Sequence, residues 1–327
     1  ILSAMTTIFG VGALMAARHP ALHSIGLTSV VGIVLVMLMA MTIIPLLFNT
    51  FILERARRHL YPITPHILIR TLLTWGNIVA IAIFLMVAGI GIRYLFPCSL
   101  KCKRRIFLKL FTSLSRFYIW STFGKNYTVI HESSEDFSKP AIIISNHQSL
   151  IETPAFIRLK SNILIFTSGW VFRSPIFGPV ARLAGFLYAE KGIESMEAQL
   201  KEKMAEGYSI LIFPEAHRSK DHEIQRFHRG AFYLAEKLRV DLLPVMVFGS
   251  GDFLGKGAFF GRPNAMSMLI MKRIAWNDLS FGNTYQEKAR KIRQFYVEKY
   301  SAFRTERGNA HYYRRLLMLN YILKGPV

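Results

Sequence analysis

Cysteine is nearly absent: Cys98 and Cys102 are the only two in 327 residues. Two thiols can build neither a disulfide framework nor a four-thiolate zinc site. Set beside Lys101, Lys103, Arg104 and Arg105, they read as free thiols at a membrane edge. Acidic side chains are scarce as well, 20 Asp plus Glu against 41 Lys plus Arg, which leaves a formal charge of +21. Charged residues of both signs make up only 19% while hydrophobic ones make up 52%. That balance excludes intrinsic disorder and fits an ordinary soluble domain badly. There is no internal repeat, no low-complexity segment and no nucleic-acid-binding motif, so the basic excess points to anionic membrane rather than nucleic acid. No Gly-x-Ser-x-Gly elbow is present, which argues against a serine hydrolase. The opening apolar run Ile1–Ala17 has no basic segment before it and so does not read as a signal peptide. It continues through Arg18, His19 and Pro20 into a second apolar stretch, and Asn320–Val327 ends without a capping signal. The chain is therefore expected to be a piece of a longer membrane protein.

Long apolar runs are what the sequence has instead. From Ser24 to Leu53 no residue is charged, a span of 30 positions, and about 20 apolar residues cross a bilayer. Thr71–Ile92, between Arg70 and Arg93, is a second uncharged window of 22 residues, and Ile1–Ala17 reads as the tail of another spanning helix. The loop Glu54–Arg70 carries Arg55, Arg57, Arg58 and Arg70, while Arg93, Lys101, Lys103, Arg104, Arg105 and Lys109 follow Ile92. The positive-inside rule places both flanks in the cytoplasm, which one crossing cannot satisfy. Gly76, Gly89 and Gly91 would let this segment dip into one leaflet and return, or lie tilted in the interface, so a monotopic arrangement is expected. Arg104–Trp120 reads as an amphipathic helix on the membrane. Ile106, Phe107, Leu110, Leu114, Phe117 and Tyr118 lie on one side, with Arg105, Lys109, Thr112 and Arg116 on the other. The competing reading packs this helix on the domain that follows.

After Tyr127 the pattern changes to short apolar runs alternating with helical periodicity. Strands are expected at Ala141–Ser145, Ile163–Phe166, Gly185–Ala189, Ser209–Phe213, Leu242–Phe248 and Ser267–Met271. Helices are expected at Ile151–Leu159, Ile193–Glu206, Arg229–Lys237 and Thr284–Phe303, with the acidic stretch His131–Asp136 as a solvated loop. The alternation predicts an α/β domain, a mostly parallel sheet flanked by helices, preceded by transmembrane and interfacial helices. The expected division is residues 1–53, transmembrane; 54–103, a basic linker and membrane-embedded helix; 104–303, the α/β domain; and 304–327, a helical extension.

Asn146-His147-Gln148-Ser149-Leu150-Ile151-Glu152 follows the first strand of that domain. Within one regular helix, residues five apart lie about 140° out of register. His147 and Glu152 can therefore meet only if the histidine sits at the strand-to-helix turn. There they would make a general base whose ring is held by a carboxylate. Such a pair also arises by chance, and its companions decide. These are Gly185-Phe186-Leu187-Tyr188-Ala189-Glu190-Lys191, Phe213-Pro214-Glu215-Ala216-His217-Arg218-Ser219, and Leu242-Leu243-Pro244-Val245. In order, the four segments resemble the four blocks of the glycerolipid acyltransferase family, whose best-known members acylate lysophosphatidic acid. The family pattern is Asn-His-x4-Asp, Gly-x-Ile-Phe-Ile-Asp-Arg, Phe-Pro-Glu-Gly-Thr-Arg-Ser, and an aliphatic run with Pro. Phe227-His228-Arg229-Gly230 resembles the turn that often follows the third block. Glu152 stands where Asp is usual and Lys191 where Arg is usual, losing the planar fork. Ala216-His217 replaces Gly-Thr, and together these departures leave the acceptor open.

The resemblance implies transfer of a fatty acyl group from a thioester to a hydroxyl. His147 would take the acceptor's proton and Glu152 would orient the ring. Lys191 and Arg218 would grip a phosphate, with Ser219 nearby and Glu215 bonding the acceptor or fixing the loop. No metal or cofactor is expected; acyl-CoA or acyl carrier protein is the co-substrate, and membrane lipids and a lysophospholipid-like acceptor are the partners. Two rivals are a lipid-binding module without catalysis and a thioesterase-like hydrolase. His217, His222 and His228 lack metal-ligand company and read as polar loop residues, and Gly249-Ser250-Gly251-Asp252 reads as a turn. Ile1–Leu53 carries a resemblance of its own. Gly10-Val11-Gly12-Ala13-Leu14, Arg18-His19-Pro20-Ala21-Leu22, Ser24-Ile25-Gly26-Leu27 and Pro45 are similar to the last helices of resistance–nodulation–division-type lipid exporters. This implies a multi-pass bacterial inner-membrane parent chain, an exporter fused to an acyltransferase domain that faces the cytoplasm.

Overall fold

The computed structural model describes residues 2–57, 63–188, 196–262 and 264–307. Two compact units divide the chain, Ile1–His66 and Ile67–Val327.

The first unit is built on helices α1 (Leu2–Gly12) and α2 (Pro20–Phe48), joined by a 3-10 turn at Ala13–Ala16. Pro20 suits the first turn of α2, where no N–H is needed, and the His19 ring accepts from the Ala21 N–H at 3.3 Å. Gly26 permits a close approach, since a Cβ there would lie 3.0 Å from Met15 Cγ. Pro45 withholds one helical donor, and the chain winds as a π-helix at Asn49–Leu53 before α3 (Glu54–Arg57). Pro20–Leu53 has a mean hydropathy of 2.8 in its most apolar window, none of it buried.

The second unit opens with α4 (Pro65–Leu95) and α5 (Leu100–Phe123). Helix α4 is unbroken through Gly76, Gly89 and Gly91, so it does not dip and return. Ile67, Thr71, Thr74, Ala82, Leu85, Gly89 and Ile92 are buried along one stripe, and the opposite side leaves Leu72, Leu73, Phe84 and Val87 exposed. Gly89 is a packing position rather than a hinge: a Cβ would lie 2.5 Å from Leu183 Cδ1 and 2.9 Å from Phe107 Cε2. Helix α5 starts at the Ser99 cap and buries Phe107, Leu108, Thr112, Ser115, Tyr118 and Ile119. The face expected to meet membrane is thus split. Phe107 and Tyr118 turn inward with Thr112, while Phe117 and Trp120 stay exposed beside Lys109 and Arg116. The reason is that the α/β domain packs on part of the same apolar side.

Among the described residues seven strands follow: β1 (Tyr127–His131), β2 (Ile142–Ser145), β3 (Ile163–Thr167), β4 (Leu187–Tyr188), β5 (Ser209–Ile212), β6 (Leu242–Phe248) and β7 (Met266–Ile270). Their order across the sheet is β1-β7-β6-β2-β5-β3-β4. Only β6 and β7 pair antiparallel, which makes the sheet mixed, with β1 and β7 running against the rest. The central strands are buried on both faces, which is why Ile142–Ile144 and Leu242–Phe248 read as aliphatic runs instead of alternating. Helices α6 (Glu152–Ile157), α7 (Gly169–Arg173), α8 (Phe177–Ala184), α9 (Glu197–Ala205), α10 (Gly230–Leu238), α11 (Ser250–Leu254) and α12 (Tyr285–Arg307) complete the unit. One face of the sheet packs on α9, α10 and α12 through Leu200, Phe232 and Tyr296. The other packs on α5, α6 and α11 through Ile119, Phe156 and Phe253. The stretch His131–Asp136 is not simply solvated: β1 ends in it, and Glu135 forms a two-point ion pair with Arg273 at 2.6 and 2.9 Å. That guanidinium holds Glu135 below the usual carboxylate range. The expected strand Gly185–Ala189 is seen as Leu187–Tyr188, and Ala189 with residues 193–195 of the expected helix Ile193–Glu206 lies outside the described residues, as do 308–327 of the C-terminal extension.

Candidate active site

The parallel strands β6, β2, β5 and β3 are neighbours, and the segments leaving the C-terminal ends of β2, β5 and β3 line one crevice, the usual ligand position in open α/β sheets. At the end of β2, Asn146 is fully buried and pairs with the β6 backbone through both ends of its amide. Its Nδ2 donates to the Val247 carbonyl and its Oδ1 accepts from the Val247 N–H, each at 2.8 Å. The side chain thus replaces a peptide group and pins the turn where the strand stops. His147 comes next, and α6 begins at Glu152.

That turn brings the two residues together. His147 Nδ1 lies 2.6 Å from Glu152 Oε2. The other carboxylate oxygen, Oε1, accepts from the Gln148 N–H at 2.9 Å, the Ser149 N–H at 3.0 Å and the Ser250 hydroxyl at 2.6 Å. Glu152 is fully buried, so these donors replace the water it has lost. The imidazole stacks on Phe213 with ring centroids 4.0 Å apart, and Phe156 meets Phe213 edge-on. With Nδ1 held by glutamate, Nε2 is the nitrogen left for a substrate.

The third segment, after β5, wraps the same histidine. Glu215 Oε1 accepts from the His147 N–H at 3.4 Å, while the Ser219 N–H donates to the His147 carbonyl at 2.8 Å. Burial pushes the Glu215 carboxyl up to about 8, reinforced by the nearby charge of Glu152 and opposed by N–H donors including that of His147. This shift favours the protonated carboxyl at pH 7. Arg218 is half-buried on the wall of the crevice, and desolvation draws it below the usual guanidinium range, opposed by Glu152. The Ser219 hydroxyl donates to Asp221 at 2.9 Å and so organises the loop. Ala216 adopts φ +59, the left-handed conformation in which glycine is at ease. Lys191 lies outside the described residues.

The expected turn Gly249-Ser250-Gly251-Asp252 is instead the cap and first turn of α11, where Ser250 is fully buried and bonded to the glutamate. Gly249 makes this fit, at φ +84 and with a Cβ position only 2.1 Å from the Ala265 carbonyl oxygen. The signal was its place directly after β6, beside the strand that carries His147. His222 is paired too, its Nδ1 lying 3.1 Å from Asp252.

His147, Thr167, Trp170, Phe213, Arg218 and His228 help line a cavity of about 300 Å³. A second, apolar cavity of about 340 Å³ runs between α4, α5 and α8, lined among others by Trp75, Leu85, Phe111, Tyr118 and Phe186. The two share Leu150, Thr153, Ile165, Thr167, Trp170 and Val171 as walls. A polar site with an ionisable base therefore abuts an oily one.

The sequence profile of the family described as Acyltransferase matches residues 126–248, the segment that holds Asn146, His147, Glu152, Phe213, Glu215 and Arg218. The chain is 27% identical over 144 residues to a protein of Chlamydomonas reinhardtii named 1-acyl-sn-glycerol-3-phosphate acyltransferase, covering 42% of this chain and 43% of that one. It is 26% identical over 180 residues to the chloroplastic 1-acyl-sn-glycerol-3-phosphate acyltransferase LPAT1 of Arabidopsis thaliana, covering 54% and 49%. A Helicobacter pylori protein of the same enzyme name is 27% identical over 172 residues, covering 49% and 69%. The chain thus spans about half the length of the first two relatives. Among solved structures, the 1-acyl-sn-glycerophosphate (LPA) acyltransferase PlsC of Thermotoga maritima superposes with a TM-score of 0.59 at 19% identity, covering 72% of this chain and 96% of that one. The fold is therefore close to that of PlsC.

Proposed function

We propose that this chain is a membrane-bound lipid O-acyltransferase that moves a fatty acyl group from acyl-CoA or acyl carrier protein to a hydroxyl of a lysophospholipid-like acceptor. The observation that carries the reading is the 2.6 Å contact of His147 with a fully buried Glu152, on the wall of a cavity that abuts an apolar one. An alcohol is a poor nucleophile at neutral pH. His147 Nε2 takes its proton as the oxygen attacks the thioester carbonyl, and Glu152 steadies the imidazolium that forms. The carbonyl–oxygen bond forms, the carbon–sulfur bond breaks, and the thiolate leaves. The apolar cavity suits the acyl chain. Arg218 binds acceptor phosphate, aided by Lys191. Glu215, neutral and bonded to the His147 backbone, fixes the loop. Helix α4 lies along the domain with its exposed apolar side toward lipid, and residues 1–53 belong to an exporter-like membrane segment of an inner-membrane parent chain whose catalytic domain faces the cytoplasm.

The test supplies radiolabelled acyl thioester and lysophosphatidic acid to the wild type and to His147→Ala. The variant is expected to lose at least a hundredfold in rate, the usual contribution of a positioned base. Equal product from both would overturn the mechanism. Free fatty acid released by the wild type without acceptor would favour a hydrolase instead.

A further inference from the structure

Outside the catalytic crevice, a third cavity of about 380 Å³ lies between the C-terminal end of α4, the first turns of α5 and the outer side of α8. Four cations line it, Arg93, Lys103, Arg104 and Arg182, and no described carboxylate does. Glu206, at the end of α9, is bonded to Lys101 and Lys203 at 2.9 Å each. Two of the cations are held in place by backbone carbonyls. Lys103 Nζ donates to the Arg93 carbonyl at 2.6 Å, and Arg182 Nη1 donates to the Phe172 carbonyl at 2.9 Å. Arg104 lies over Gly185, where a Cβ would come within 2.9 Å of its Nε. The floor is apolar, formed by Ile90, Phe107 and Leu183. Beyond it the exposed side of α4 continues through Val87 and Leu95.

Like charges gathered around one recess repel one another unless an anion fills it. An apolar floor that continues into an exposed apolar helix face suits a ligand with both a phosphate and hydrocarbon. We propose that this recess is a binding site for an anionic membrane phospholipid, its phosphate among the four cations and its chains along α4. The proposal rests on the membrane-facing reading of α4. It concerns a lipid that is held rather than acylated, because the site is separate from His147.

The test uses the full chain in neutral detergent micelles, titrated with phosphatidylglycerol or phosphatidylcholine, with retained lipid counted by native mass spectrometry. One phosphatidylglycerol is expected to be retained in preference to phosphatidylcholine. The double variant Arg93→Gln/Arg104→Gln should weaken retention about 25-fold, about fivefold for each cation. Arg93→Lys/Arg104→Lys should keep most of it, which separates lost charge from lost fold. Equal retention of the two lipids would overturn the proposal. So would an equal loss in Lys109→Gln/Arg116→Gln, cations of α5 outside the recess, because the attraction would then be spread over the surface. Displacement of the lipid by coenzyme A or by inorganic phosphate at millimolar concentration would also overturn it, reassigning the recess to donor phosphates or to a free anion. His147→Ala should retain lipid as the wild type does, so failure of the catalytic reading and failure of this one are read separately.

Discussion

Among the described residues, two histidine–carboxylate pairs lie close together, His147–Glu152 at 2.6 Å and His222–Asp252 at 3.1 Å. They are bridged by one residue: Gln148 gives its backbone N–H to Glu152 and its side-chain amide to the His222 carbonyl. Their surroundings differ. Glu152 is sealed from water and held by three further donors, whereas the Asp252 side chain is 30% exposed. The ring of His147 is stacked on Phe213 and reaches a cavity; the ring of His222 is packed over Gly251 and Gly255 and lines neither of the two cavities beside His147. Closeness of an imidazole to a carboxylate is therefore not what marks a site. The mark is a carboxylate fully enclosed by donors, with the second ring nitrogen free to meet a ligand.

Replacing each acid by its amide tests this difference most strongly. Glu152→Gln keeps the shape but removes the charge that fixes the ring tautomer and stabilises the imidazolium, and acyl transfer is expected to fall by about 10³–10⁴-fold. Asp252→Asn should change the rate by less than about threefold, as expected for a partly exposed ion pair. Steady-state rates with lysophosphatidic acid measure both. Comparable losses would mean that the two pairs act as one unit.

The next contrast lies in two serines. Ser250 bonds Glu152 at 2.6 Å, and Ser219 bonds Asp221 at 2.9 Å. Ser250→Ala leaves a buried carboxylate short of one donor, a loss of about 1.5–3 kcal/mol, or roughly ten- to a hundredfold if it appears in kcat. As a positioning residue it should also move the acidic limb of the pH–rate profile, and Ser250→Thr should restore part of it. Ser219→Ala should lower stability by about 0.5–1.5 kcal/mol and leave that limb in place. An unmoved limb in Ser250→Ala would reduce its hydroxyl to a structural role.

Much of this was legible in the sequence, and the part that was not has physical reasons. The β2–turn–α6 step could be foreseen, because five-residue spacing forces His147 off the helix that carries Glu152. The central strands were visible as unbroken aliphatic runs, since parallel strands are buried on both faces. Strand β1 was missed because Tyr127–His131 at the sheet edge is only half-buried and lacks that run. The short helices α7 and α8 were missed because five and eight residues hold too few turns to establish a helical period. The bond of Ser250 to Glu152 spans 98 residues of sequence, so nothing local revealed it beyond its place directly after β6. The inward side of α5 was misjudged at Thr112, whose polarity suggested solvent although the packed α/β domain covers it.

Glu215 sharpens the comparison in the opposite direction, as a buried carboxyl close to the same histidine that keeps its proton. Its folded-state value is raised to about 8 from an ordinary 4.5, chiefly by burial. Below about 4.5 both folded and unfolded chains hold the proton. Between about 4.5 and 8 the unfolded chain releases it and the folded chain does not, so stability falls as pH rises. Glu215→Gln cannot ionise and should lose this slope. Relative to the wild type, it is expected to gain on the order of 2 kcal/mol between pH 6 and pH 8, read from thermal unfolding at both values. Parallel slopes in the two proteins would show that Glu215 is already ionised when folded.

The smallest effect concerns two non-glycine residues with left-handed backbones, Ala216 at φ +59 beside the first pair and His222 at φ +62 in the second. An L side chain in this region costs about 1–2 kcal/mol, whereas glycine adopts it freely. Ala216 is exposed and offers only a methyl group, so Ala216→Gly should relieve the backbone. Glycine's greater freedom in the unfolded chain takes back about 0.4–1 kcal/mol, leaving a net gain of about 0.5 kcal/mol and a rise of 1–2 °C, roughly, in melting temperature. At His222 the same relief is outweighed, because glycine removes the ring that bonds Asp252 and packs on Gly251 and Gly255. His222→Gly should therefore melt lower than the wild type. If both variants shift in the same direction, backbone conformation dominates at the two loops, and the second pair adds nothing to the fold.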